Sequence, residues 1–282
     1  MPVTRGPRRP PNRGASGSQR ADLLELFFDL AFVAGLAMTS QKMAAEPTWT
    51  GFAQALLALS TLWAVWVTTT LVTDSYSPRS RPIPFVILAA MFGVMLMSAA
   101  LPGAFGDHGL IFGGTWAAII LGRGLVLIRS LRGRQEQERS VRALVWNLGS
   151  GTLWVVGGLL DDPGWRLAVW LVALAADYIA YGFRFPIPGR PPLPQYRVVP
   201  EHLAERYQQI YILSLGELVL ISVLSLSHQP FSAHRLATFG TAFLTAVVLW
   251  WSYARGARPS ATPSSRPGTG PGWCRPIRTP TG

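Results

Sequence analysis

Eight apolar blocks, each about long enough to cross a lipid hydrocarbon core, leave this chain few ways to fold. They cover residues 23–44, 52–72, 83–100, 110–128, 143–160, 167–183, 203–226 and 236–253. A helix of roughly 20 apolar residues spans a core of ~30 Å. Residues 167–183 form the shortest block. The connectors hold breakers: Pro47, Pro78, Pro82, Pro102, Asp161-Asp162-Pro163-Gly164 and the proline-rich run from Pro186 to Pro194. Of the 282 residues, 49% are hydrophobic and 14% are charged. A soluble globular chain carries about 25% charged residues. The expected fold is therefore all-α, a polytopic membrane bundle of about eight helices.

The basic residues set the expected topology. With a cytoplasmic N-terminus, twenty of them fall on the inner side, in the tails and alternate loops, and three fall outside: Lys42, Arg166 and Arg235. That bias places both termini in the cytoplasm. It also accounts for the net charge of +11 without nucleic acid, because the charge sits in loops and tails rather than on one face. Residues 1–20 and 255–282 are rich in Arg, Pro, Gly and Ser and read as disordered tails around a membrane domain of residues 21–254. No cleaved signal peptide is expected. Cys274 is the single cysteine, so no disulfide framework or thiolate metal site is available.

Charges inside the spans carry the functional signal. Glu25, Asp29, Asp177, Glu205 and Glu217 lie within them, against Arg123 and Arg206. A carboxylate near the centre of a membrane helix costs roughly 2.5–3.5 kcal/mol on insertion scales. Asp22, Glu25 and Asp29 are three and four residues apart, so they share a helix face. His202 reaches Glu205 and Arg206 by the same spacing. Arg206 and Glu217 are eleven residues apart, on nearly the same face but ~16 Å apart along the axis. Glu217 therefore needs a partner on another helix, and Arg123, between Gly122 and Gly124, is the candidate by sign. Asp177 lies near the inner end of its span, where it can snorkel to the interface. His108, His228 and His234 fall in outside loops. Either these acids bind or relay a proton or small cation, or they form ion pairs that fix helix register.

Other chemistries find little support. Lys42 is the single lysine and lies outside the membrane, which excludes a retinal Schiff base. No histidine sits deep enough for a membrane haem or for a serine-hydrolase base. The His-Glu-x-x-His and phosphate-loop patterns are missing from the sequence. No enzyme activity, metal site or cofactor is expected.

Glu25-Leu26-Phe27-Phe28-Asp29-Leu30, followed by Phe32-Val33, resembles the opening signature of the bacterial low temperature requirement A (LtrA) family. His202-Leu203-Ala204-Glu205-Arg206-Tyr207 with Leu215-Gly216-Glu217 is similar to its second block, and Phe105-Gly106-Asp107 and Leu121-Gly122-Arg123 fit the region between. The resemblance runs from about Asp22 to Tyr253. It implies a polytopic protein of the bacterial cytoplasmic membrane connected with growth in the cold, and it supplies no biochemical activity. Family members continue with further spans beyond a helix ending near Trp250-Trp251, so the Pro/Gly/Arg tail here reads as a truncated or frame-shifted end. Two functions remain open. One is proton or small-cation transport through Glu25, Asp29, Glu217 and Glu205, with Arg123 and Arg206 as counter-charges and His202 and Asp177 secondary. The other is a non-transporting structural or partner-binding role in cold or stress adaptation. Neither oligomeric state nor the transported species is set by the sequence.

Overall fold

Proline and capping chemistry fix several helix starts. Pro82, Pro163 and Pro200 each open a helix, where the missing N–H costs nothing. Asp162 caps the helix after it, its carboxylate accepting from Trp165 N at 2.8 Å. The computed structural model describes residues 15–75, 82–133, 136–193, 200–227 and 231–256. Within them lie eight helices: α1 (Ala15–Ala45), α2 (Trp49–Ser75), α3 (Pro82–Ala100), α4 (Gly109–Ser130), α5 (Glu136–Leu159), α6 (Pro163–Gly182), α7 (Pro200–Ser227) and α8 (Ala233–Gly256). The expected all-α bundle of about eight helices is what forms. α1 begins at Ala15, so the end of the segment expected as tail is helical. Residues 1–14 and 257–282 lie outside the described residues, and so does the rest of the expectation about the tails.

Six helices are long and apolar enough to cross a membrane: α1 to α4, α7 and α8. α5 and α6 fall short for visible reasons. α5 opens on Glu136, Glu138, Arg139 and Arg142 and contains four glycines, and α6 carries Arg166 and Asp177 in 20 residues. Both are held by packing instead, with α5 lying against α4 and α6. Their glycines make this possible. A methyl on Gly158 would sit 2.7 Å from the Gly109 carbonyl oxygen and 2.9 Å from Leu110 Cα, and one on Gly113 would collide with the Trp154 carbonyl.

Neighbouring helices run in alternate directions. Along α1 and α2, Asp29 meets Trp66 while Gly35 backs onto Leu62. Along α4 and α5, Gly109 lies by Gly158 and Gly124 by Leu144. Tyr211 of α7 stacks on Tyr253 of α8 at 4.6 Å. The start of α1, the ends of α2, α4 and α6, and the start of α7 therefore share one end of the bundle, which we call the basal end.

Two aromatic groups fill the core. Phe32, Trp63, Trp66 and Tyr207 pack between α1, α2 and α7. Phe105, Phe112, Trp116, Trp154 and Trp170 pack around α4, α5 and α6. Trp66, Trp154 and Trp170 are fully buried, whereas Trp49, Trp165, Trp250 and Trp251 are exposed near helix ends, as membrane-interface residues are. α7 and α8 are peripheral: 6% of their most apolar stretch is buried, against 50–61% for α1 to α4. α6 ends on two non-glycine residues in the left-handed region, Arg184 (φ 60°) and Phe185 (φ 55°). This costly turn folds Phe185 back against Tyr181, ring to ring at 5.0 Å.

Candidate functional site

α1 delivers Glu25 and Asp29 to the basal half of the bundle on one face, as their four-residue spacing requires. α7 brings Arg206 to them. Its Nη2 donates to Asp29 Oδ1 at 2.8 Å, and its Nη1 lies 3.6 Å from Glu25 Oε2. α2 adds Trp66, whose Nε1 donates to the same Asp29 oxygen at 2.7 Å. The guanidinium also sits over the Trp66 ring at 5.8 Å, and Tyr207 covers that ring from the next position along α7. Glu25, Asp29 and Arg206 are 4%, 0% and 2% exposed. Asp29 Oδ2 and Arg206 Nε and Nη1 have no hydrogen-bond partner among the described residues. Two carboxyl groups thus share one guanidinium, with donor and acceptor capacity left over. A cleft of about 570 Å³ opens alongside, lined in part by Phe32, Trp63, Tyr207 and Ile210.

A second charged group lies on the other side of α2. Arg123 of α4 donates to Thr68 Oγ1 and, at 3.2 Å, to Tyr181 Oη. Asp177 of α6 is 6% exposed and accepts from Trp154 Nε1 at 3.1 Å. Ser150 and Trp116 are its other polar neighbours. The expectation that Asp177 snorkels to the interface is wrong: tryptophans of α4 and α5 enclose it. Its position near the helix end suggested an interfacial residue, but the bundle is closed there.

The remaining expected site residues do not join this layer. Glu217 is half-buried on the far half of α7 and has no hydrogen bond or ion pair among the described residues. The expected Glu217–Arg123 pair does not form, because Arg123 points into α2 and α6 and makes its bonds there. Glu205 precedes Arg206 and is exposed, on the face of α7 turned away from Asp29. The side chain of His202 lies outside the described residues.

Three bases assigned to loops or helix ends are buried instead. Lys42 is 6% exposed, pairs with Glu46 at 3.0 Å and lies over Phe105. Arg142 bonds Glu138 and the Pro191 carbonyl. Arg166 collects four carbonyls, those of Ala104 (3.0 Å), Gly106 (2.5 Å), Gly157 (3.2 Å) and Leu160. It serves the free carbonyls at the end of α5 and in the turn before α4, a role the Gly-rich sequence around it signals only weakly. Among the described residues the buried acids are Glu25, Asp29 and Asp177, and the buried bases are Lys42, Arg123, Arg142, Arg166 and Arg206. The acid excess read from the spans is therefore not a property of the whole interior. Toward the basal end, Arg123, Arg142 and Arg206 match the three buried carboxyl groups in number.

Comparison with known proteins agrees with this picture. A family model described as bacterial low temperature requirement A protein (LtrA) matches residues 20–266. An uncharacterized protein of Rhizobium meliloti is 33% identical over 244 residues, covering 83% of this chain and 58% of its own length. The chain thus spans less than two thirds of that relative. No solved structure matches. The two charged blocks, the helical membrane bundle and the match over most of the chain lead to one conclusion: this protein belongs to the bacterial LtrA family.

Proposed function

We propose that this protein moves protons or a small cation across the bacterial cytoplasmic membrane, using Glu25 and Asp29 against Arg206. One observation carries the reading. Asp29 is fully buried in an apolar bundle, and its Oδ2 has no hydrogen-bond partner among the described residues while Oδ1 holds Arg206 and Trp66. Burial disfavours a charged carboxylate, so a buried carboxyl oxygen without a donor favours uptake of a positive species. The exchange needs no large rearrangement: a proton or cation binding at Asp29 Oδ2 leaves Oδ1 bonded to Arg206 and Trp66. The cleft beside Trp63 and Tyr207 offers an approach. Flux measured in liposomes tests this. Glu25→Gln and Asp29→Asn are expected to reduce proton or cation flux to the level of empty vesicles, and flux equal to wild type at every pH refutes it. Glu217 and Glu205 do not contribute in this scheme, so Glu217→Gln retains flux.

A second reading has its own support. Arg206 ties the thinly packed α7 to α1, so the same charges suit a clamp in a non-transporting protein that binds a partner or stabilises the membrane in cold or stress. It expects Glu25→Gln and Asp29→Asn to lower folded yield in detergent while no form of the protein conducts.

A further inference from the structure

We propose that Asp177 is a second proton-binding carboxyl group, placed across α2 from the Asp29 site at the same basal level of the bundle. α2 presents Trp66 to Asp29 and Thr68 to Arg123. Two residues along a helix are about 200° apart, so these side chains leave opposite faces of α2. Thr69 and Thr70, which follow, are each 1% exposed, and neither hydroxyl has a hydrogen-bond partner among the described residues. Ser150 Oγ and Trp116 Nε1 flank Asp177 and bond nothing else among the described residues, so its carboxyl is the acceptor they face. Uncompensated polar groups are costly inside a membrane bundle.

The donor set decides what Asp177 takes. Around it stand the indole N–H groups of Trp154 and Trp116 and the Ser150 hydroxyl, and Arg123 acts from further off. An indole N–H donates and cannot ligate a cation. A metal ion would find one carboxylate and one hydroxyl, too few oxygens for a calcium or magnesium site. An anion would meet the carboxylate. Arg123, the nearest guanidinium, makes its hydrogen bonds to Thr68 and Tyr181, and no base lies within 4 Å of Asp177 among the described residues. A proton is the species that fits. The inference draws on the transport reading for its role in flux, but proton binding at Asp177 stands without it.

Infrared difference spectroscopy during acid titration of the full chain in detergent reads the proton directly. Wild type is expected to show a carbonyl band from protonated Asp177. Asp177→Asn should lose that band, Ser150→Ala should shift it, and Asp29→Asn should leave it in place. An unchanged spectrum in Asp177→Asn overturns the proposal. If that variant fails to fold, Ser150→Ala carries the test, and an unshifted band overturns it. In liposomes, a titrating Asp177 band without flux in any form supports this inference and refutes the transport reading. Loss of flux in Asp29→Asn with no Asp177 band does the reverse.

Discussion

Asp29 holds its place through two donors, Arg206 and the Trp66 indole. Trp66→Phe keeps the ring but removes the N–H, and a hydrogen bond to a charged group is worth about 1.5–3 kcal/mol. The expected result is a loss of that size in denaturant unfolding in detergent. Trp63→Phe removes no hydrogen bond among the described residues and should stay within about 1 kcal/mol; equal losses would show that the indole bond is unimportant. A second residue-scale effect lies at the start of α5. The Arg142 guanidinium hydrogen-bonded to Glu138, with Arg190 nearby, holds that carboxyl below its usual range. A depressed folded pKa gives stability that is present above the ordinary Glu value and is lost as pH falls through the folded one. Thermal midpoints of wild type and Glu138→Gln should therefore differ near neutral pH and converge in acid, and a constant difference would refute this. The Glu25–Asp29 pair was legible because four-residue spacing fixes a shared face. Its partner was legible only as one of two counter-charges: the sequence places Arg206 on a face of its own helix but does not set how α7 rotates against α1. For the same reason, sign alone suggested Arg123 for Glu217.

At the scale of elements, apolar block length and proline or Asp-Pro breaks gave the eight helices, with starts at Pro82 and Pro163 where the connectors suggested them. The small residues of the fifth block, Gly149, Ser150, Gly151, Gly157 and Gly158, suit close contact with a neighbouring helix, but which glycines matter depends on what faces them. Gly113 and Gly158 face the backbone of the other helix, whereas Gly122 and Gly149 face open space. Overpacking costs roughly 1–3 kcal/mol, and an exposed helical Gly→Ala gains up to about 1 kcal/mol. Gly113→Ala and Gly158→Ala should lower the unfolding midpoint, and Gly122→Ala and Gly149→Ala should hold or raise it. A common effect in all four would mean that general helix propensity, not contact, governs this pair of helices. Arg166 belongs to this scale as well, since its four carbonyl bonds join the turn before α4 to the end of α5 and the start of α6. Topology counting assigned it to an outside loop, because charge bias records which side a residue lies on and not whether carbonyls await it.

The molecule as a whole divides into a well-packed set, α1 to α6, and a peripheral hairpin, α7 and α8. The hairpin rests on α1 and α2 and hides little of its own surface. Its attachment is concentrated at one place, where Arg206 meets Asp29 and Glu25 and Tyr207 stacks on Trp63 and Trp66. Breaking a buried ion pair by removing one partner costs about 3–5 kcal/mol, and here the loss falls on a single seam. Local opening draws on the least stable unit first. Arg206→Gln should therefore speed amide hydrogen exchange across α7 and the face of α1 around Asp29, and leave α4, α5 and α6 near wild type. Replacing Asp29 and Arg206 together by Leu and Met removes both charges, so exchange in the hairpin should recover part of the way toward wild type. If Arg206→Gln instead accelerates exchange uniformly over the bundle, the eight helices open as one unit and the hairpin has no separate stability. A confined effect would show that Arg206 and its carboxyl partners fasten the hairpin without holding the rest of the bundle.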